Sequence, residues 1–299
     1  MSVSAELLEQ YLLTGLMIGV LYIVMALGIT FIYSIMKMTN WAMGEFYMIG
    51  SFVQYLVVSR FLGPDLWFIA VPVAGLSVFV LGMIVERVLI RPMFERGMEA
   101  RAEYATVVTI ALAILARGIV QIWSGPFERS PGSTMPTFQI GPLPIAGDRV
   151  AASIGGLIVL ALFWFVVKRT WVGLALRAAA QSRDGVQSAG VDVLRLDQIA
   201  FGMGVALAAV AGALLASVYL VYPLNGLITT TKGFEVVILG GLGSIPGAIV
   251  GGIAIGLVEA LGAALVATNY QNAYGFVLVL IILLLRPRTG LFGERVRTA

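Results

Sequence analysis

The chain has 299 residues, 60% of them hydrophobic and 12% charged, with a mean hydropathy of +0.98. A soluble domain would be about one-quarter charged and could not cover this much apolar surface, so the composition specifies a polytopic membrane protein. With no cysteine and no histidine, disulfides, thiolate metal sites, cysteine nucleophiles and the commonest general base are excluded. The formal charge of +3 resides in loops between apolar runs, which argues against nucleic-acid binding.

An α-helical span takes about 20 apolar residues. Such runs occur near residues 11–34, 41–59, 66–90, 104–123, 150–168 and 198–220, then over 234–267 and 273–285. They are too long and too uniformly apolar for the short alternating strands of a membrane β-barrel. The first ten residues carry Glu6 and Glu9 but no basic residue, so no cleavable leader of the usual form is expected.

The stretch Asn40-Trp-Ala-Met-Gly-Glu-Phe-Tyr-Met-Ile-Gly50 opens the second run and puts Glu45 about one turn inside it. A glutamate in hydrocarbon is costly unless it is paired or faces water. Two readings stand: Asn40 and Glu45 line or brace a transport route, or Asn40 caps a helix whose dipole favours a first-turn glutamate. Glu235, later in the chain, admits the same pair of readings. Arg117, Glu86 and Glu259 read as structural, Arg117 by snorkelling to a nearby interface and Glu86 by pairing with Arg87 or Arg91.

Basic residues cluster at Arg87, Arg91, Arg96 and Arg101, at Lys168, Arg169, Arg177, Arg183 and Arg195, and at Arg286, Arg288, Arg295 and Arg297. The positive-inside bias places all three clusters in the cytoplasm and the Pro- and Gly-rich stretch 124–149 outside. Within the loop 173–197, residues 174–190 set alanines and Leu176 against Arg177, Gln181 and Arg183. This is the pattern of a short amphipathic helix, with Gly185 and Gly190 as stops. An ordered helix in a loop longer than the connection needs is expected to be a docking surface. Residues 174–190 lack the Trp, Phe and Lys of a helix lying on lipid.

The run from Lys232 to Gly252 is as apolar as a span, yet Gly240, Gly241, Gly243, Pro246 and Gly247 weaken any helix there. A broken helix at membrane depth persists only where protein surrounds it or where it lines a cavity. Close helix packing through small residues is the alternative. Residues 234–267 are long for one span and short for two, and a cytoplasmic tail needs an odd number of crossings after residue 222. A half-helix over 234–243, a break at 244–247 and a second element over 248–267 meet both conditions. The candidate pathway residues are thus Asn40, Glu45, Glu235, Gly240, Gly241, Gly243, Ser244 and Pro246.

Three stretches, 15–34 running into 40–50, 177–192 and 232–256, carry a resemblance that extends over nearly the whole chain. The chain resembles the permease subunits of bacterial branched-chain amino-acid (Liv-type) ABC importers. Trp41-Ala42-Met43 stands where that family usually has Phe-Ala-His, a departure that touches only local pathway chemistry. The resemblance implies a single permease domain over 1–299 in the bacterial inner membrane. It also implies a second permease subunit (paralogue or copy), two ATP-binding cassette ATPase subunits and an extracytoplasmic solute-binding protein. The segment holding Arg177, Gln181, Ser182, Arg183, Asp184 and Gly190 would then be the coupling helix seated in an ATPase groove. ATP and magnesium would sit on the ATPase subunits, with no cofactor in this chain, which has no Gly-x-x-x-x-Gly-Lys-Ser/Thr phosphate loop.

The fold expected is all-α, a polytopic transmembrane bundle of about eight to nine membrane segments with a broken glycine-rich helix near residues 234–247. The function expected is solute import driven by separate ATPases, with amino acids as the first substrate class and urea or short amides as the alternative. An ion-coupled secondary transporter would need buried ionisable groups, for which the chain offers only Glu45, Glu235 and Glu259. A membrane-embedded enzyme, with no His or Cys and no carboxylates clustered in the sequence of the spans, has little to work with.

Overall fold

A computed structural model describes residues 5–95, 97–132, 135–140, 143–286 and 290–292; Arg96, Arg288, Arg295 and Arg297 lie outside them. Helix α1 (Ala5–Met36) is the axis of the bundle, buried almost throughout its second half. Small residues let its neighbours approach closely, which is how helices gain packing contacts where lipid removes the hydrophobic drive. Helix α11 (Ile245–Leu265) runs antiparallel to α1, with Gly15 against Gly256 and Gly19 against Gly252. Helix α9 (Val193–Leu215), started by the Asp192 side chain accepting from the Arg195 N–H, is also antiparallel to α1, with Gly28 on Gly204.

Helix α2 (Met43–Val57) lies parallel to α9, with Gly50 on Ala209 and Gln54 bonded to Ser217. Helix α3 (Trp67–Val85) is antiparallel to α9 and continues through a π-turn over Glu86–Ile90 into α4 (Arg91–Glu95). Three helices lie around this core: α5 (Arg101–Ser124), α6 (Gly147–Arg169) and α12 (Gln271–Leu285). Each exposes large apolar side chains, among them Ile114 and Ile122 on α5, Leu162 on α6 and Leu284 on α12. Surfaces of that kind require lipid or a partner subunit.

Helix α6 follows the direction of α1, with Ser153 bonded to Met17 O and Phe163 stacked edge-on against Phe31. The chain of parallel and antiparallel contacts therefore brings Arg87, Arg91, Arg101, Lys168, Arg169, Arg177, Arg183, Arg195 and Arg286 to the end of the bundle where α1 finishes. The 124–149 connection lies at the opposite end. It holds a short antiparallel pair, β1 (Phe138–Ile140) and β2 (Leu143–Ile145), and the Arg129 backbone pairs with Val221.

Among the described residues, seven helices are long and apolar enough to cross a membrane. Helix α2 and helix α10 (Asn225–Gly240) are shorter and complete a set of nine segments, in line with the expected all-α polytopic bundle. Two boundaries differ from the sequence expectation. The break lies at residues 241–244 rather than 244–247, and α10 begins at Asn225, well before residue 234. The polar run Thr229–Lys232 precedes the half-helix expected from residue 234, but each threonine hydroxyl donates to the carbonyl four residues earlier, so the helix accommodates all three.

Candidate functional site

The break between α10 and α11 is a tight turn built by its sequence. Gly241 and Gly243 adopt φ of +100° and +82°, a region open to glycine and strained for other residues. Ser244 then caps α11, its Oγ accepting from the Gly247 N–H at 3.1 Å, with Pro246 in the first turn. Gly240 and Gly247 face each other across the turn so closely that a Cβ on either would lie 2.2 Å from the other's carbonyl oxygen. The last carbonyls of α10 are met by the returning tail, Leu291 N–H to Leu239 O and Phe292 N–H to Gly240 O. Leu242 and Pro246 are the exposed side chains of the turn, at the basic end. Each of these glycines thus has a local structural reason, in the turn or in packing.

The other end of α10 lies inside the bundle. Asn225 Nδ2 donates to Ser51 Oγ, halfway along α2, at 3.1 Å. Gly226 rests on Gly44, and Thr230 Oγ1 accepts the Gly44 N–H at 3.0 Å. The chain leaving α9 therefore folds back from the outer end, and α10 starts partway across. Its free side shows Leu224, Leu227, Ile228 and Thr231, with Trp41 stacked on Phe234 at 4.8 Å beside them.

Buried charge is concentrated behind this face. Lys232 Nζ donates to Glu235 Oε2 at 3.1 Å, to Asn272 O at 3.1 Å and to Glu259 Oε1, while Tyr22 OH donates to Glu259 Oε2 at 2.9 Å. One ammonium thus holds two carboxylates, and the group joins α1, α10, α11 and α12. All three charged side chains are at most 5% exposed. Such a cluster persists at membrane depth only because each charge is paired. Sequence reading singled out Glu235 but missed Lys232, although a lysine three residues before a glutamate on one helix is a legible pair.

Glu45 is buried and receives the Arg117 guanidinium, Nε to Oε1 at 3.1 Å with Nη2 closer still. Arg117 was expected to snorkel outward; instead it turns in and fastens α5 to α2. Asn40 does not cap α2, whose N-cap is Ala42. Its Oδ1 accepts the Ala42 N–H at 3.0 Å and its amide contacts Met43 Sδ, so it shapes the turn before the helix. The expected pairing of Glu86 with Arg87 or Arg91 is not made. Arg91 bonds Glu95 at 2.7 Å, and the two Glu86 oxygens find no hydrogen-bond partner.

At the basic end the coupling candidates form two helices, α7 (Trp171–Gln181) and α8 (Arg183–Ser188), capped by Thr170 and Ser182. Gly190 ends the segment at φ +82°. Gln181, Ser182, Asp184 and Gly190 are exposed. Arg183 turns inward, Nη1 to Asp197 Oδ1 at 3.1 Å and to Ile35 O, with its guanidinium 4.5 Å from the Phe94 ring centre. Arg177 is half-buried, its Nε donating to Gly173 O. Helix α7 begins three residues before the stretch read from the sequence and exposes Trp171, Val172 and Leu174, the aromatic and apolar pattern that residues 174–190 alone lack.

A nine-segment bundle with a helix that starts partway across, glycine-meshed crossings and buried ion pairs defines a membrane permease. The chain belongs to the family described as "Branched-chain amino acid transport system / permease component", whose model matches residues 11–285. It is 30% identical to the high-affinity branched-chain amino acid transport system permease protein LivH of Escherichia coli K12, over 95% of each chain. It is 31% identical to the corresponding BraD protein of Pseudomonas aeruginosa, again over 95% of each. A probable LivH of Methanocaldococcus jannaschii is 28% identical over 93% of this chain and 90% of its own. No solved structure matches the chain.

Proposed function

We propose that this chain is the membrane-spanning permease of an ABC importer in the bacterial inner membrane, carrying branched-chain or related amino acids inward. The observation that carries the proposal is the α10 face. A helix that starts partway across the bundle presents Leu227, Ile228 and Thr231 beside Trp41, an aliphatic strip with a hydroxyl at mid-depth. That surface suits a solute with a branched apolar side chain and a small polar head. The route runs between this face and a second permease subunit, a copy or paralogue. The turn at Gly240, Gly241, Gly243, Ser244 and Pro246 forms its inner end. Asn40, Glu45 and Glu235 brace it from behind. Two ATPase subunits dock on the exposed Gln181, Ser182, Asp184 and Gly190, and hydrolyse ATP with magnesium. Arg183 anchors that segment to the bundle through Asp197, and Arg177 stands beside it on α7. An extracytoplasmic binding protein delivers the solute to the opposite end.

The test is uptake of labelled leucine into proteoliposomes holding the chain with its ATPases, second permease and binding protein. Leucine accumulation that requires ATP and is insensitive to a protonophore is expected. Urea or acetamide accumulating in place of leucine would move the substrate to the amide class. Accumulation abolished by the protonophore and indifferent to ATP would overturn the importer reading in favour of ion coupling.

A further inference from the structure

At the basic end, α6 turns into α7 around a cavity of about 200 Å³, which meets the proposed route only at Pro246. Phe31, Phe163 and Leu176 form its inner wall, Pro246 closes one side, and Lys168 and Arg177 stand at its rim. Neither cation has a carboxylate partner among the described residues: Lys168 Nζ lies 5.0 Å from the Trp164 ring centre, and Arg177 Nε donates to Gly173 O at 3.3 Å. No Asp or Glu lines the cavity. Trp164, 50% exposed, lines it, Trp171 is exposed at the start of α7, and Ala161 and Leu157 continue an exposed apolar strip up the Trp164 face of α6.

We propose that this corner is a binding site for an anionic phospholipid. Its phosphodiester bridges Lys168 and Arg177, and an acyl chain lies along the apolar strip of α6. Three observations converge on a lipid occupant. Unpaired cations demand an anion. Tryptophans beside lysine at a helix end mark the headgroup level of a bilayer. The exposed side of α7 is apolar, which suits the acyl boundary better than a water-soluble protein groove. The cavity wall also includes Ile245 and Pro246, the first residues of α11 after the break, so a bound lipid would touch both α7 and the start of α11.

The experiment is native mass spectrometry of the full chain released from nanodiscs of equimolar phosphatidylglycerol and phosphatidylcholine. Preferential retention of one phosphatidylglycerol is expected. At about 1 kcal/mol per cation near an anionic headgroup, Lys168→Gln and Arg177→Gln should each weaken retention about fivefold and the pair about thirtyfold. The exchange Lys168→Arg with Arg177→Lys should keep it, which separates charge recognition from misfolding. Equal retention of the two lipids would overturn the proposal. So would displacement of phosphatidylglycerol by millimolar inorganic phosphate, which would mark a free-anion site, or by the assembled ATPase, which would mark a protein seat.

Discussion

Replacing Lys232 by Met removes the only cation from a group that holds two carboxylates. At a separation of 3.1 Å and an effective dielectric near 20, the attraction between Lys232 and Glu235 is about 5 kcal/mol gross, and Glu259 lies closer. Desolvation consumes much of that gain. The informative quantity is therefore the cost of leaving the partners uncompensated, about 3–5 kcal/mol for a buried pair broken on one side. At roughly 2–4 °C per kcal/mol, the apparent melting midpoint in detergent should fall by on the order of 10 °C. Thermal size-exclusion chromatography of the purified chain at neutral pH reads this directly. The triple variant Lys232→Met, Glu235→Met, Glu259→Gln removes cation and anions together while leaving Tyr22 an acceptor. Apolar replacement of a whole buried ionic group is commonly neutral or stabilising, so the triple should recover most of the lost midpoint. A single variant as stable as the parent, or a triple no better than the single, would refute charge compensation as the role of this cluster.

Gly44→Ala would place a methyl 1.9 Å from Gly226 O, so α2 and α10 must separate; a loss of about 1–3 kcal/mol is expected in the same melting assay. Arg117→Met leaves Glu45 buried and unpaired, but Arg117 is itself 23% exposed, so about 2 kcal/mol is expected, seen as faster proteolysis of the 124–149 connection with the rest of the chain intact. Leu227→Trp on the free face of α10 buries no new surface in this chain. It should leave assembly with the partners unchanged and cut leucine uptake at least tenfold; uptake at the parental rate would remove α10 from the route. Single cysteines in this cysteine-free chain should label from outside at Tyr222 and Asn269 and not at Ser182, as judged with an impermeant maleimide on sealed cells.

The bundle class, the nine segments and the gathering of basic residues at one end were all legible in the sequence, because hydropathy and charge bias act locally. The glycine break was legible to within three residues for the same reason. What stayed hidden depends on partners far along the chain. Arg117 and Glu45 are 72 residues apart, and only the fold reveals that α5 lies against α2. Glu259 needed Lys232 and Tyr22, on two other helices, to explain its burial. Arg183 looked like a docking residue because its polarity sits in a loop, yet Asp197, fourteen residues on, draws it inward. The early start of α10 was obscured because threonines that bond their own helix backbone look the same in sequence as threonines in a loop.

The glycine contacts along α1 have a mechanical consequence. Backbone meets backbone at Gly15 and Gly256, Gly19 and Gly252, and Gly28 and Gly204, and again between α2 and α9 where Gly212 meets Tyr47 O. Surfaces meshed this way cannot slide past one another by a fraction of a residue without first being pulled apart, because close-packed contacts resist continuous deformation. Helices α1, α2, α9 and α11 therefore move as one rigid block. A working stroke must either turn that block whole or bend the chain where it is not meshed. The turn at residues 241–244 is not such a place, because Gly240 and Gly247 meet backbone to backbone across it. On the other side of that turn, α10 is fastened along its length: Asn225 bonds Ser51, Gly226 rests on Gly44, Gly233 packs on Ile29, Val236 meets Gly251, and Lys232 is shared by two glutamates. Helix α10 therefore turns with that block, and the stroke falls to the block as a whole.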